Sequence, residues 1–250
     1  MEIRTPQQTN ESHGRPVDSS DLVIRAKGDK GSVMRDADVR AAVRQSLQQK
    51  YGDDPTSRIV EEMGIWSGSV RIDLAVINGE LSGYELKSDR DTLERLPFQA
   101  DLYSRVFDRM ELIVGSRHSD KAAKIVPPWW KVTIATMRNG DVNLRSMAGY
   151  PGRRNPKPDP YLVAQLLWKD ETLAVLEKHG LAKGCRSKRI KALHEHLVQS
   201  LPFRTLSSEV RETLKHRPLG WLGQQASNQL DMPINTNLNP MLQPLWASGT

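Results

Sequence analysis

The chain has 250 residues and a formal net charge of +6, with a mean hydropathy of −0.56. No apolar run approaches the roughly 20 residues a spanning helix needs, and the first residues lack the apolar stretch of a secretory leader. The single cysteine, Cys185, excludes a disulfide framework and any cysteine-based zinc site, so a soluble protein of a reducing cytoplasm is expected.

In chain order, residues 1–32 are polar and read as a flexible arm. From Asp36 the apolar residues Val39, Val43 and Leu47 recur at helical spacing, and Gly52 marks the stop. Residues 56–63 read as a second, shorter helix. Two strands follow, VRIDLAVI at 70–77 and LSGYELK at 81–87, with the hairpin signal Asn78-Gly79 between them. Pro97 suits the first turn of a helix running to Phe107. A strand is expected at 111–115, a helix at 119–126, and strands near 131–137 and 141–147. Four prolines in 151–160 read as a linker. Helices are expected at 161–179, 187–200 and 205–216, and 218–250 as a tail. The fold class is mixed α/β (α+β): a small mixed sheet flanked by helices over 33–150, then an all-helical module over 161–217.

Charge is unevenly placed. Residues 1–152 hold 22 bases and 22 acids, whereas 153–217 hold 14 bases and seven acids. A basic module beside a neutral domain points to a polyanion such as nucleic acid; a solvated Lys/Arg-rich helical face is the alternative. No nucleotide-binding glycine motif, HExxH or GxSxG is present. His194 and His196, two apart on a helix, do not face together.

On a strand, residues i and i+2 share a face, so Glu85 and Lys87 point together. A strict two-residue turn at Asn78-Gly79 would put Asp73 and Glu85 on opposite faces. An odd loop, with Ile77 opposite Leu81, or a bulge at Gly83, would oppose Asp73 directly to Glu85. Two facing carboxylates need a proton or a cation between them, and Mg²⁺ or Mn²⁺ suits such oxygen ligands. A solvated strand face carrying these charges is the competing reading.

Asp73 on one strand followed by Glu85-Leu86-Lys87 on the next resembles the PD-(D/E)XK nuclease superfamily. The stretch RIDLAVINGELSGYELKSDRDTLERLPFQADLYSRVFD, followed by IVPPWW, is similar to a little-characterised bacterial family within it, over roughly residues 55–135. The helices LLWKDETLAVLEKHGL and VRETLKHR are similar to that family too. The resemblance implies a restriction-endonuclease-like core in which Asp73, Glu85 and the Leu86 carbonyl hold the metal and Lys87 works on the attacking water. It adds Glu62 from a preceding helix, with Glu61 the alternative, and a Gln99-x-x-x-Tyr103 helix that contacts substrate or orders the site. The proline that often precedes the first acid is replaced by Ile72.

Gln99 and Tyr103 have a plainer reading as packing at the sheet's end. Trp129 and Trp130 read as core, and His118 as a surface-loop histidine. The segment TLAVLEKHGLAKGCRSKRIKALHEHL faintly resembles helix–extension–helix DNA modules of SAP type, with Lys183, Arg186, Lys188, Arg189 and Lys191 on phosphates. The expectation is a metal-dependent nuclease acting on DNA, in repair or anti-phage defence. Two rivals stand beside it: a catalytically silent nucleic-acid-binding protein within a larger assembly, and a structural interaction protein. Self-association or a protein partner is left open.

Overall fold

The computed structural model describes residues 21–24, 34–65, 68 and 70–218. A seven-stranded mixed sheet forms its centre. The strands are β1 (Asp21–Ile24), β2 (Arg58–Ile65), β3 (Val70–Ile77), β4 (Leu81–Lys87), β5 (Arg109–Gly115), β6 (Lys131–Arg138) and β7 (Asp141–Pro151), in spatial order β1-β7-β6-β5-β4-β3-β2. The β4–β5 and β5–β6 pairs are parallel; the others are antiparallel.

Helix α1 (Asp36–Tyr51) covers one face. Its Val39, Ala42, Val43 and Leu47 pack on Leu74, Val76, Tyr84, Leu86 and Ile113. The other face is covered by α2 (Leu96–Val106), α3 (Ser119–Ala123), α4 (Pro160–Ala164), α5 (Lys169–Lys178), α6 (Ile190–Ser200) and α7 (Phe203–His216). One continuous core joins this face of the sheet to the C-terminal helices: Val60, Ile72, Ala75 and Leu112 share it with Val163, Leu176, Leu193, Leu206, Val210 and Leu214. This is the mixed class expected from the sequence.

Several elements differ from expectation. Residues 56–63 contribute to a strand, not a helix. In β2, Val60, Met63 and Ile65 all enter the same core while Ile59 packs on the opposite one. Glu62 causes this: its φ of 51° lies in the left-handed region and resets the two-residue alternation. The resulting three-residue spacing of Val60 and Met63 imitates a helical period. The arm expected over 1–32 contributes β1, which pairs with Val142–Arg145 of β7; residues 1–20, 25–33 and the tail 219–250 lie outside the described residues.

The helix expected at 161–179 is two helices. The chain breaks between them, and α5 restarts at Trp168, whose backbone N–H donates to Glu171 at 2.7 Å. Residues 151–160 are largely exposed but are tied to the body at Asn155 and Asp159. Asn155 is buried and donates to the carbonyls of Ser104 and Phe107 at 2.7 and 2.8 Å. Asp159 caps α4 through the N–H groups of Tyr161 and Leu162.

The C-terminal helices are fastened to the sheet edge. Arg58 of β2 donates to the carbonyls of Leu214, Lys215 and Arg217 at 3.0, 2.7 and 2.6 Å, satisfying the end of α7. Arg217 in turn holds Glu171 through two bonds and lies over the Trp168 ring. Arg58→Ala is expected to lower unfolding stability by about 2 kcal/mol, because charged donors to several carbonyls are lost at once. Its urea midpoint, compared with the parent's, measures this.

Candidate functional site

The β3–β4 hairpin sets the site. Its pairing runs Ile77↔Leu81, Val76↔Ser82, Ala75↔Gly83 and Leu74↔Tyr84, so the loop holds three residues, Asn78–Glu80. The Asn78 N–H donates to the Glu80 carbonyl at 3.1 Å, and the Asn78 side-chain oxygen accepts from the Glu80 N–H at 3.0 Å. The pairing ends at Leu74↔Tyr84, one residue short of Asp73 and Glu85, and the odd loop is the one that the sequence made the condition for bringing these two acids near each other. On the other side, Glu61↔Leu74 and Met63↔Ile72 bracket Glu62 opposite Asp73. Glu62 and Asp73 therefore lie side by side on adjacent strands, where both meet Arg40. Asp73 is fastened to β4 directly: its Oδ2 accepts from the Leu86 N–H at 2.8 Å.

Glu85 and Lys87 share a face and form an ion pair with Nζ–Oε1 at 2.5 Å. Both are buried, at 1% and 6% exposure. Burial pushes the Glu85 carboxyl up to about 7, with the negative Asp73 adding to the shift; Lys87 and the Tyr103 hydroxyl pull against it. A pair this deep is weak evidence of a stabilising role. Desolvating two charges often offsets the attraction between them, so an apolar pair of the same volume commonly serves stability as well or better.

Helix α2 completes this side. Gln99 and Tyr103 lie one turn apart and both are buried, with Gln99 Nε2 donating to the Tyr103 hydroxyl at 3.4 Å. The Tyr103 hydroxyl donates to the Arg71 carbonyl at 2.8 Å. Burial and the nearby Glu85 charge raise its pKa, so it stays a neutral donor. Its ring stacks on fully buried Trp130, 6.5 Å between centroids, and Trp130 Nε1 bonds Ser104 Oγ at 3.0 Å. Trp130 is thus core, as the sequence suggests. Glu85 Oε2 and Gln99 Oε1 are both buried with no donor among the described residues.

Arg40 of α1 was not foreseen. Its guanidinium reaches Asp73 Oδ1 at 2.7 Å and Glu62 Oε1 at 2.9 Å. Burial lowers its pKa, but the carboxylates of Asp73, Asp36 and Glu62 together outweigh that and raise it. The geometry separates the two candidate acids on β2: Glu62 joins Arg40 and Asp73, whereas Glu61 faces Arg44 at 3.5 Å. Nothing in the sequence singles Arg40 out, since a basic residue on an amphipathic helix is ordinary.

The chemistry of this donor set suits a hard divalent cation. Asp73 and Glu85 offer carboxylate oxygens and the Leu86 carbonyl follows Glu85 directly in the chain, while Glu85 Oε2 is buried without a hydrogen-bond partner among the described residues. Among the described residues, no three His, Cys, Asp or Glu side chains converge as a metal-binding group; the expected set holds two carboxylates.

The basic residues lie apart from this site. Lys183, Arg186, Lys188, Arg189 and Lys191 are all exposed on the turn-rich segment between α5 and α6 and its first helical turn. Arg186 meets Glu177 at 3.3 Å and Lys191 meets Glu195 at 3.9 Å, weak surface pairs. His194 and His196 face carbonyls of Leu167 and Leu181, structural positions both. His118, expected on a surface loop, is half-buried, and its Nε2 is enclosed without a partner among the described residues.

No helix of the described residues is long and apolar enough to cross a membrane. No solved structure matches the chain. Protein cII of Enterobacteria phage P4 is 24% identical over 180 residues, covering 72% of this chain and 65% of the phage protein. The chain thus matches a little under two thirds of that relative's length. The family model described as Bacteriophage P4 protein cII matches residues 30–222, and the chain belongs to that family.

Proposed function

We propose that this protein is a metal-dependent nuclease that hydrolyses phosphodiester bonds, with DNA as substrate. The observation that carries the reading is the buried Glu85–Lys87 pair, with an unsatisfied carboxylate oxygen on Glu85 and the Asp73 carboxylate held by the neighbouring Leu86 N–H. It agrees with the resemblance to PD-(D/E)XK enzymes. Asp73, Glu85 and the Leu86 carbonyl would hold Mg²⁺ or Mn²⁺. Such a cation supplies a bound water of lowered pKa and offsets charge on a phosphoryl group. Lys87 orients the attacking water and stabilises negative charge that grows on the phosphate. Gln99 and Tyr103 order the wall beside Glu85, Gln99 bonding the Tyr103 hydroxyl and that hydroxyl bonding the Arg71 carbonyl. Arg40 fixes Asp73 and Glu62 from the opposite side.

The exposed bases from Lys183 to Lys191 would grip the phosphate backbone without reading sequence. DNA repair or anti-phage defence is the setting we propose.

The test is incubation with plasmid and linear DNA in Mg²⁺, Mn²⁺ or EDTA. Cutting that needs metal is the expected result, and the two substrates show whether ends are required. DNA bound but left intact in every metal would favour the second reading, a silent nucleic-acid-binding protein. Arg40 favours that reading, because it already neutralises Asp73 and Glu62.

A further inference from the structure

A cleft of about 790 Å³ opens at the loop that follows Lys87, within the size range of ligand pockets. It lies outside the carboxyl ends of the parallel strands β4 and β5, where crossover sheets commonly take ligands. Its walls are the loop that follows Lys87, from Asp89 to Glu94, together with Arg117, His118 and Lys121 after β5. The loop is seated on the end of β5: a Cβ at Gly115 would lie 2.3 Å from Asp89 Oδ1.

Formal charges in the cleft balance, but their availability does not. Asp91 Oδ2 accepts from Ser88 N–H and Oγ at 2.7 and 2.6 Å, and Asp89 Oδ1 accepts from the Arg117 N–H at 3.2 Å. Each of these two acids has one oxygen turned to the loop's own donors, and Glu94 stands exposed as the third acid. The side chains of Arg90, Arg117 and Lys121 are exposed and make no ion pair among the described residues. His118 Nε2 is enclosed without a partner there. Leu93, Pro97 and Ile125 supply apolar lining. Unengaged N–H donors over an apolar floor suit a phosphate carrying a sugar and base.

We propose that this cleft is a phosphate-binding subsite for the polynucleotide, holding the strand next to the bond presented to Lys87. It rests on the nuclease reading for the identity of its ligand. Arg90, Arg117 and Lys121 contact phosphate oxygens, and His118 donates from Nε2 once that nitrogen carries its hydrogen.

The test is fluorescence anisotropy with a labelled single strand and the matching duplex, in EDTA, across a salt series. Each is used with a 5′-phosphate and a 5′-hydroxyl. The parent is compared with Arg90→Ala/Arg117→Ala/Lys121→Ala. The variant is expected to bind about tenfold or more weakly. Its slope of log affinity against log salt should fall by about 2–3, since each neutralised phosphate contributes about 0.7–0.9. A loss confined to 5′-phosphorylated strands assigns the cleft to a strand end; an equal loss assigns it to internal phosphates. Both support the subsite. Unchanged affinity and slope, or a parent that binds neither form, overturns it. If the triple variant does not fold by circular dichroism, Arg117→Gln and Lys121→Gln give the same reading singly. A parent that binds but leaves DNA intact in Mg²⁺ and in Mn²⁺ retires the nuclease and leaves the subsite standing.

Discussion

Lys87→Ala is expected to slow DNA cleavage by about 10²–10⁴-fold, the range for removing one catalytic acid–base or electrostatic group. DNA affinity should stay within about twofold of the parent, because Lys87 is 6% exposed and its ammonium is engaged with Glu85, away from the exposed bases that would carry phosphate contacts. Fold loss is a reasonable concern, since stripping one member of a buried pair commonly costs about 3–5 kcal/mol. Here the remaining carboxyl has an escape. Glu85 sits near neutrality already, and without Lys87 it moves further up and takes a proton. Single-turnover cleavage and anisotropy on the same preparation measure both quantities. A variant that cuts at the parental rate removes Lys87 from the mechanism.

Divalent-ion affinity is expected to rise as pH increases towards 7 and then level off. Below about 7 the Glu85 carboxyl is mostly protonated, so a cation must displace that proton. Affinity for Mn²⁺ should climb by up to about tenfold per pH unit in that range, with close to one proton released per ion well below pH 7. The same shift has a sign for stability. The folded-state value lies above the ordinary 4.5, so the contribution is full below 4.5 and is lost as pH rises through about 7. Calorimetric titration in buffers of different ionisation enthalpy counts the protons directly. Glu85→Gln should abolish the proton release. Affinity independent of pH in the parent would detach Glu85 from the metal.

How much of this was legible varied with the range of the interaction. The hairpin, the shared face of Glu85 and Lys87, and the pairing of Gln99 with Tyr103 are local, and spacing alone exposes them. The three-residue loop could only be posed as a condition, because parity depends on backbone detail at Asn78–Glu80. The strand at 58–65 was hidden by a single left-handed residue, Glu62, whose effect on side-chain direction copies a helical spacing. Arg40 and Asp73 are 33 positions apart and meet only through packing of α1 on the sheet. The cleft is likewise a product of topology: Arg90 and Arg117 come together because β4 and β5 lie side by side and end together.

The shared core between the sheet and the C-terminal helices has a consequence for how this chain can be taken apart. Cutting at the prolines of 151–160 would strip cover from Val60, Ile72, Ala75 and Leu112 and free the Arg58 side chain from α7. The product would be a sticky half-protein instead of a minimal catalytic fragment. The helices, for their part, cannot be grafted elsewhere as a portable adaptor, because their inner surface is shaped to this sheet. Whatever they hold is presented at a fixed distance and angle from Glu85 and Lys87, so the body of the protein acts as a ruler between them.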